Sequence, residues 1–220
     1  MSRSAALLLL AVTFILASCG DKKTPPPTST PAGPTPDSFQ VTFETTRGRF
    51  VIEAHRAWAP KGVDRFYELV SAGLLDDNAF YRVVPKFIVQ FGALADPKVN
   101  ARWDSLPIAD DPRVEKNRRG TIAFAQEGHG SRTHQLFINL SDNAHLDRAG
   151  FVPIGRVVDG MGVVDSIYAG YREKPEYHLI ATLGNEYLRR MFSKLDYIVT
   201  ARLLTKVALA SAGRSRIFPR

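Results

Sequence analysis

Short apolar runs, separated by turns that contain proline or glycine, recur through the middle of this chain. They are rich in aromatic and β-branched residues, and residues of those types favour β-strands. A chain built from many short strands is typical of a β-barrel or a β-sandwich. The runs cover residues 79–84, 87–91, 121–125, 136–140 and 152–158.

Two further β-prone runs, 40–45 and 49–53, are joined by the turn 46–48 and predict a hairpin at the start of this region. The segment after the hairpin has apolar residues at helical spacing, with Pro60 suited to its first turn and Gly73 to its end. This spacing predicts an amphipathic helix. Further helices are predicted at 162–168 and 185–195.

The first eighteen residues have a basic start followed by an apolar run, 5–16, that is too short to span a bilayer comfortably. This pattern predicts a signal peptide over residues 1–18. The sequence Leu16-Ala17-Ser18-Cys19 resembles the lipobox of bacterial lipoproteins, in which the cysteine receives a diacylglycerol group. The alternative is an ordinary secretory signal peptide, with Cys19 uninvolved. Cys19 is the only cysteine, so no disulfide is expected in the domain.

Residues 19–38 are predicted to be a linker, because its part from Thr24 to Ser38 contains six prolines among small polar residues. At about 3.1 Å per residue, this part would extend on the order of 45 Å. With lipid on Cys19, the protein is expected to be anchored in a bacterial cell envelope. Gly20 favours the periplasmic face of the outer membrane.

The 220 residues, 45% of them hydrophobic, suffice for one sizeable core, and a single domain is predicted over residues 39–200. The net charge of +7 is concentrated in a predicted tail, 201–220, which carries five basic residues and no acidic one. Such a tail either contacts anionic headgroups or is simply a solvated terminus. No nucleic-acid motif accompanies it, so no nucleic-acid partner is expected.

The segment 80–92 places a cation and an amide within otherwise apolar β runs. Side chains alternate along a strand, so Arg82 is predicted on the opposite face from Tyr81 and Val83. Gln90 shares a face with Ile88, and Arg82 and Gln90 are predicted to meet in one groove. Taken singly, Arg82 also fits a surface salt bridge, and Gln90 a solvent-facing position.

The same segment resembles the Phe-x-Arg-x-x-Pro-x-Phe-x-x-Gln motif of the cyclophilins. A second block, with Gly120 to Ala125 followed by Gln135-Leu136-Phe137-Ile138, resembles the next conserved stretches of that family. Leu146-Asp147 and Gly155-Arg156-Val157 continue the resemblance, which covers about 39–168.

The resemblance implies a mainly β fold: a closed eight-stranded antiparallel barrel, capped by helices, with its substrate groove outside. It implies cis/trans isomerisation of peptide bonds before proline, acting on proline-containing unfolded or exported polypeptides, and we expect a monomer. Rotation about this bond has a barrier of about 18–20 kcal/mol and breaks no bond. No metal or other cofactor is therefore expected.

By resemblance, Arg82 would donate a hydrogen bond to the prolyl nitrogen of the twisted amide. This hydrogen bond is strong only in the transition state. Gln90 would bind the substrate backbone, and the main chain at Gln126, beside Ala125, would pair with the residue before the proline. Taken singly, the apolar residues of the site could belong to the core. The implied pocket residues are Phe87, Ile88, Phe137, His145, Leu146 and Phe151.

The sequence departs from the family's usual pattern at several positions. Ile88 replaces a methionine and Gln126 an asparagine, which are modest changes in volume. His145 stands where many members have a tryptophan, and Phe151 where they have a histidine. That tryptophan helps to bind the inhibitor cyclosporin, so weak inhibition is expected here. His129, His134 and His145 lie close together in the sequence, but their spacing does not fit a zinc site.

A second class of function remains open at this point, namely a non-catalytic, membrane-anchored protein that binds proline peptides as a chaperone or scaffold. Binding and catalysis share most of such a pocket. Arg82 separates the two, because only catalysis requires its donor.

Overall fold

The computed structural model describes residues 33–204, and the predictions for the signal peptide, Cys19, residues 19–32 of the linker and residues 205–220 of the tail lie outside that range. Among the described residues, nine strands form one antiparallel sheet. The strands are β1 (Ser38–Thr45), β2 (Gly48–His55), β3 (Asn78–Ala79), β4 (Arg82–Val84), β5 (Ile88–Phe91), β6 (Thr121–Phe124), β7 (Leu136–Asn139), β8 (Pro153–Asp159) and β9 (Tyr197–Leu203). The helices are α1 (Pro60–Ser71), α2 (Pro97–Asp104), α3 (Ala144–Arg148), α4 (Met161–Asp165) and α5 (Tyr177–Met191). None of these helices is long and apolar enough to cross a bilayer.

The strand order is β3-β9-β1-β2-β8-β6-β7-β5-β4, so β3 and β4 are the two edges of the sheet. These edges are also consecutive in the chain and are joined by Phe80 and Tyr81 alone. The main chain therefore connects one edge to the other, which confirms the predicted mainly β, barrel-like fold. The predicted closure differs, because β3 and β4 are not paired with each other as strands. The count is nine rather than the predicted eight because the predicted strand 79–84 is divided. Between its halves, Phe80 donates its N–H to the carbonyl of Asp196 at 2.9 Å.

Strand residues alternate between the inside of the barrel and its outer surface, as the pleat requires. On β5, Val89 and Phe91 belong to the large internal core, whereas Ile88 belongs to a separate outer cluster. On β1 and β2, Phe43 and Phe50 are directly opposed and stack at 4.8 Å between ring centroids. The interior is therefore filled by side chains, and the remaining faces of the strands are available for a site.

Helix α1 forms where the sequence predicts it. Pro60 lies in its first turn, and Val63 and Phe66 are fully buried on the face that packs against the barrel. Asp111 accepts the N–H groups of Lys61 and Gly62 at 3.0 and 2.9 Å, which satisfies two free donors at the start of the helix. Helices α2 and α3 were not predicted from the sequence, because their apolar patterns are short.

The C-terminal part of the domain differs most from the sequence-based expectation. Helix α5 begins at Tyr177 rather than residue 185, and it bends at Gly184, whose φ is +64°. A Cβ there would lie 2.5 Å from the carbonyl oxygen of Ala95, so glycine is needed for the close approach. The predicted helix corresponds to the half after the bend. Strand β9 extends to Leu203, past the boundary of 200 predicted for the domain.

Candidate active site

One row of directly opposed residues crosses four neighbouring strands on the outer surface of the barrel. Arg82 on β4 pairs with Gln90 on β5, Gln90 pairs with Phe137 on β7, and Phe137 pairs with Ala123 on β6. Neighbouring strands are about 4.8 Å apart. Arg82 and Phe137 are two strands apart, so their backbone positions are separated by about 10 Å. We call this row the sheet wall. It combines a cationic donor, an amide and an apolar surface on one face.

The apolar end of the sheet wall is a compact cluster separate from the main core. Phe137 is 2% exposed and Leu146 is 7% exposed, and the ring of Phe151 meets that of Phe137 edge-on at 5.6 Å between centroids. The ring of His145 stacks on Phe87 at 5.4 Å. The full cluster comprises Phe87, Ile88, Ala123, Ala125, Phe137, Leu146 and Phe151. The predicted pocket residues are thus brought together, and His145 lies at their exposed edge.

The guanidinium group of Arg82 is held by two polar partners and one ring. Its Nη1 donates to Oε1 of Gln90 at 3.2 Å, and its Nε and Nη2 donate to Oε1 of Glu173 at 2.8 and 2.5 Å. Its Cζ lies 5.8 Å from the ring centroid of Phe87. The side chain is 29% exposed, so the group remains accessible from the groove.

A second polar chain fixes the amide of Gln90. Its Nε2 donates to the hydroxyl of Tyr81 at 2.6 Å and to Oε1 of Gln135 at 3.2 Å, and the Tyr81 hydroxyl donates to the same Gln135 oxygen. Burial raises the pKa of Tyr81, so the hydroxyl stays protonated and remains a donor. Because Nε2 faces these oxygens, Oε1 of Gln90 is the atom that turns towards Arg82.

A groove of about 930 Å³ adjoins Arg82 and Gln90. It is also lined by five residues of the segment 172–178, which we call the segment wall, namely Glu173, Pro175, Glu176, Tyr177 and His178. Ala125 and Gln126 also line the groove, as the resemblance implies, and Gln126 Nε2 donates to the carbonyl of Gly150 at 3.4 Å. The carboxylates that line the groove belong to Asp104, Glu127, Glu173 and Glu176.

Asp104 lines this groove and is held by several hydrogen-bonding partners. Its carboxylate lies 2.8 Å from Nε2 of the buried His134 and accepts the hydroxyl of Tyr177 at 2.8 Å and the amide of Asn100 at 2.9 Å. Burial alone raises the pKa of Asp104, but the hydrogen bonds from His134 and Tyr177 outweigh it, and the pKa lies below its usual value. Asp104 is therefore ionised at neutral pH.

The three histidines weighed in the sequence as metal ligands lie in separate environments. His129 contacts Asp110 at 3.0 Å, His134 contacts the carbonyl of Gly92 at 2.6 Å, and His145 stacks on a ring. Within residues 33–204, no group of three or more histidine, cysteine, aspartate or glutamate side chains could hold a metal ion.

Sequence reasoning did not identify Tyr81, Gln135, Glu173 or Tyr177 as parts of this site. Alternation placed Tyr81 away from Arg82, but Tyr81 lies in the break between β3 and β4, and its hydroxyl accepts a hydrogen bond from Gln90. Gln135 precedes Leu136 in the second motif block, so its position was a usable signal. Glu173 lies outside every motif and reaches Arg82 only through the fold.

The sequence matches the family model "Cyclophilin type peptidyl-prolyl cis-trans isomerase/CLD" over residues 40–183. It is 35% identical over 137 residues to peptidyl-prolyl cis-trans isomerase cyp18 of Streptomyces antibioticus, covering 58% of this chain and 81% of the relative. It is 35% identical over 136 residues to peptidyl-prolyl cis-trans isomerase B of Escherichia coli, covering 58% of this chain and 82% of the relative.

The fold is similar to the crystal structure of a cyclophilin type peptidyl-prolyl cis-trans isomerase of Cryptosporidium parvum. The TM-score is 0.59 and the identity 20%, and the match covers 77% of this chain and 99% of the other. A second structure of that protein, in the presence of the dipeptide Ala-Pro, has a TM-score of 0.58, with 20% identity and coverage of 76% and 99%. At this identity the likeness concerns the fold.

Proposed function

The chain belongs to the cyclophilin-type peptidyl-prolyl cis-trans isomerase family and is an isomerase of that type, and we propose that Arg82 is its central catalytic residue. The observation that supports this role is the sheet wall. In it, Arg82 lies on the strand next to that of Gln90 and two strands from that of Phe137. A proline ring on the apolar cluster would put its nitrogen within reach of the guanidinium group.

The chemistry requires a donor and a dry surface, and no nucleophile. Twisting the amide ends its resonance and returns a lone pair to the prolyl nitrogen, which can then accept a hydrogen bond. The planar ground state offers no such acceptor, so the bond from Arg82 favours the transition state alone. An apolar cluster around the bond also strengthens this contact by lowering the local dielectric constant.

The remaining residues of the site would hold the substrate while the bond turns. Gln90 would contact its backbone, and the main chain at Gln126 would pair with the residue before the proline. A rate gain of roughly 10⁵ needs about 7 kcal/mol at 1.36 kcal/mol per decade. One preorganised donor is typically worth about 3–4 kcal/mol, so stronger binding of the twisted than of the planar amide in the pocket formed by Phe87, Phe137 and Leu146 would supply the remainder.

A protease-coupled isomerisation assay on a short Ala-Pro peptide tests this function. We expect the wild-type chain to accelerate isomerisation strongly and Arg82→Ala to lose roughly 10²–10³ of that gain. Arg119→Ala is the matched control, because Arg119 is an equally charged residue that pairs with Asp165 away from the groove. A wild-type chain that binds proline peptides without accelerating their isomerisation would favour the scaffold function instead.

The cellular setting is also a proposal, and it rests on the sequence before the domain. We propose that Cys19 carries a lipid, that the proline-rich linker spaces the domain from the outer membrane, and that exported polypeptides are the substrates. Labelling of cells with radioactive palmitate should mark the wild-type chain and leave Cys19→Ser unlabelled. Equal labelling of the two, or recovery of the wild type in the soluble fraction, would contradict this anchor.

A further inference from the structure

Glu173 is the one acidic side chain of the described residues that pairs with Arg82, and it comes from the segment wall and not from the sheet. The pair joins residues 91 positions apart in the chain. The segment is tied to the edge strand β4 by a main-chain hydrogen bond from Val83 N–H to the carbonyl of Arg172 at 3.1 Å. The position of Glu173 is therefore coupled to that of the strand that carries Arg82.

The backbone just before Glu173 adopts an unusual conformation. Arg172 has a φ of +53°, which is uncommon for a residue with a side chain and carries an energetic cost. Arg172 lies in a turn, where its N–H donates to the carbonyl of Ala169 at 3.1 Å. The N–H of Lys174 donates to the carbonyl of Tyr171 at 3.0 Å. The turn directs Glu173 towards the groove, and a strained residue beside a catalytic group is consistent with a functional role.

The contact geometry also limits the orientation of the arginine. Nε and Nη2 both bond one oxygen of Glu173, while Nη1 bonds Gln90, so three of the five N–H donors are used. Among the described partners, one hydrogen on each terminal nitrogen remains available. A guanidinium group is planar and rigid, so fixing three donors fixes the direction of the other two.

We propose that Glu173 is a positioning residue for the isomerisation: it holds the guanidinium of Arg82 so that its remaining donors face the substrate. This inference rests on the proposed role of Arg82. An exposed ion pair contributes little to the stability of a fold, and Glu173 is 59% exposed. Its loss should therefore alter the rate much more than the folding.

Two substitutions separate the hydrogen bonds of Glu173 from its charge. Glu173→Gln keeps an amide oxygen that can accept both bonds, and Glu173→Ala removes the acceptor. Loss of one positioning contact should lower kcat in Glu173→Ala by about 3- to 10-fold with KM within about twofold, and Glu173→Gln should restore most of the rate. Asp159→Ala, which breaks the exposed pair of Arg49 and Asp159 away from the groove, is the control.

The same variants should be followed by ¹⁵N relaxation of the Nε–H group of Arg82, which reports its order without turnover. We expect it to be ordered in the wild type and in Glu173→Gln, and mobile in Glu173→Ala. Unchanged rate and order in Glu173→Ala, or faster turnover in both Glu173 variants, would overturn the inference while leaving an active Arg82 in place. If the wild type shows no turnover, the proposed function fails, and the Arg82 signal alone decides whether Glu173 positions it.

Discussion

The sheet wall and the segment wall are built in different ways. The sheet wall is held by continuous main-chain ladders, so the strand register fixes Arg82, Gln90 and Phe137 relative to one another. The segment wall is held by a few long-range contacts, such as those of Tyr177 with Asp104 and of Glu173 with Arg82. The comparison shows that hydrogen-bonded strands hold Arg82 and Gln90, while a connecting segment and the first residues of α5 line another part of the groove.

The largest difference between the two walls should appear in stability. Phe137→Ala removes a ring that is 2% exposed in a closely packed cluster, and such truncations cost about 3–5 kcal/mol. Phe192→Ala is the matched change behind the segment wall, where the ring is only partly buried against Tyr171 and Tyr187. We expect it to cost about half as much or less in a urea titration. Equal costs would remove the distinction between the walls.

Protonation of Asp104 at low pH should weaken the contacts that hold the segment wall. Its pKa is depressed in the folded state, so it stabilises the fold fully above its unfolded pKa of about 3.9, and this contribution is lost as pH falls through the folded value. The free energy of unfolding should therefore fall more steeply below pH 4 in the wild type than in Asp104→Asn. Superimposable pH profiles would show that the carboxylate does not hold this wall.

The exposed edge of the sheet wall should determine the response to cyclosporin. His145 stacks on Phe87 and presents a smaller ring than the tryptophan common in the family. His145→Trp should tighten cyclosporin binding by up to about tenfold, since an aromatic contact is worth about 0.5–1.5 kcal/mol. Calorimetry on the two proteins measures this, with Met191→Trp as control, because Met191 is exposed and does not line the groove. A wild type that already binds as tightly as His145→Trp would contradict the prediction.

The smallest effect should come from one hydroxyl of the segment wall. Tyr177→Phe removes the bonds to Asp104 and Asn100, and a hydrogen bond of this kind is worth about 1 kcal/mol. We expect a loss of that size in thermal unfolding and less than about a twofold change in isomerisation rate. A large loss of rate would place Tyr177 among the residues that act on the substrate.

The sequence predicted the sheet wall well because its information is local. Alternation on β4 and β5, together with the motif spacing, predicted Arg82 and Gln90 in one groove, and in the structure the two residues are directly paired. The segment wall could not be predicted in this way. Glu173 reaches Arg82 across 91 residues, and Gly184 bends α5 because a distant carbonyl approaches it. Neither contact produces a hydrophobic periodicity or a motif spacing that could be recognised in the sequence.

The most direct test of the account follows a proline peptide while it is bound. Magnetisation-exchange spectroscopy on a labelled Ala-Pro peptide gives the rate of cis/trans interconversion on the protein, and a titration gives the peptide's Kd. If Arg82 acts on the twisted amide, Arg82→Ala should slow the bound interconversion by roughly 10²–10³ while the Kd changes by less than about threefold. An unchanged interconversion rate with a much weaker Kd would show that Arg82 only binds the substrate.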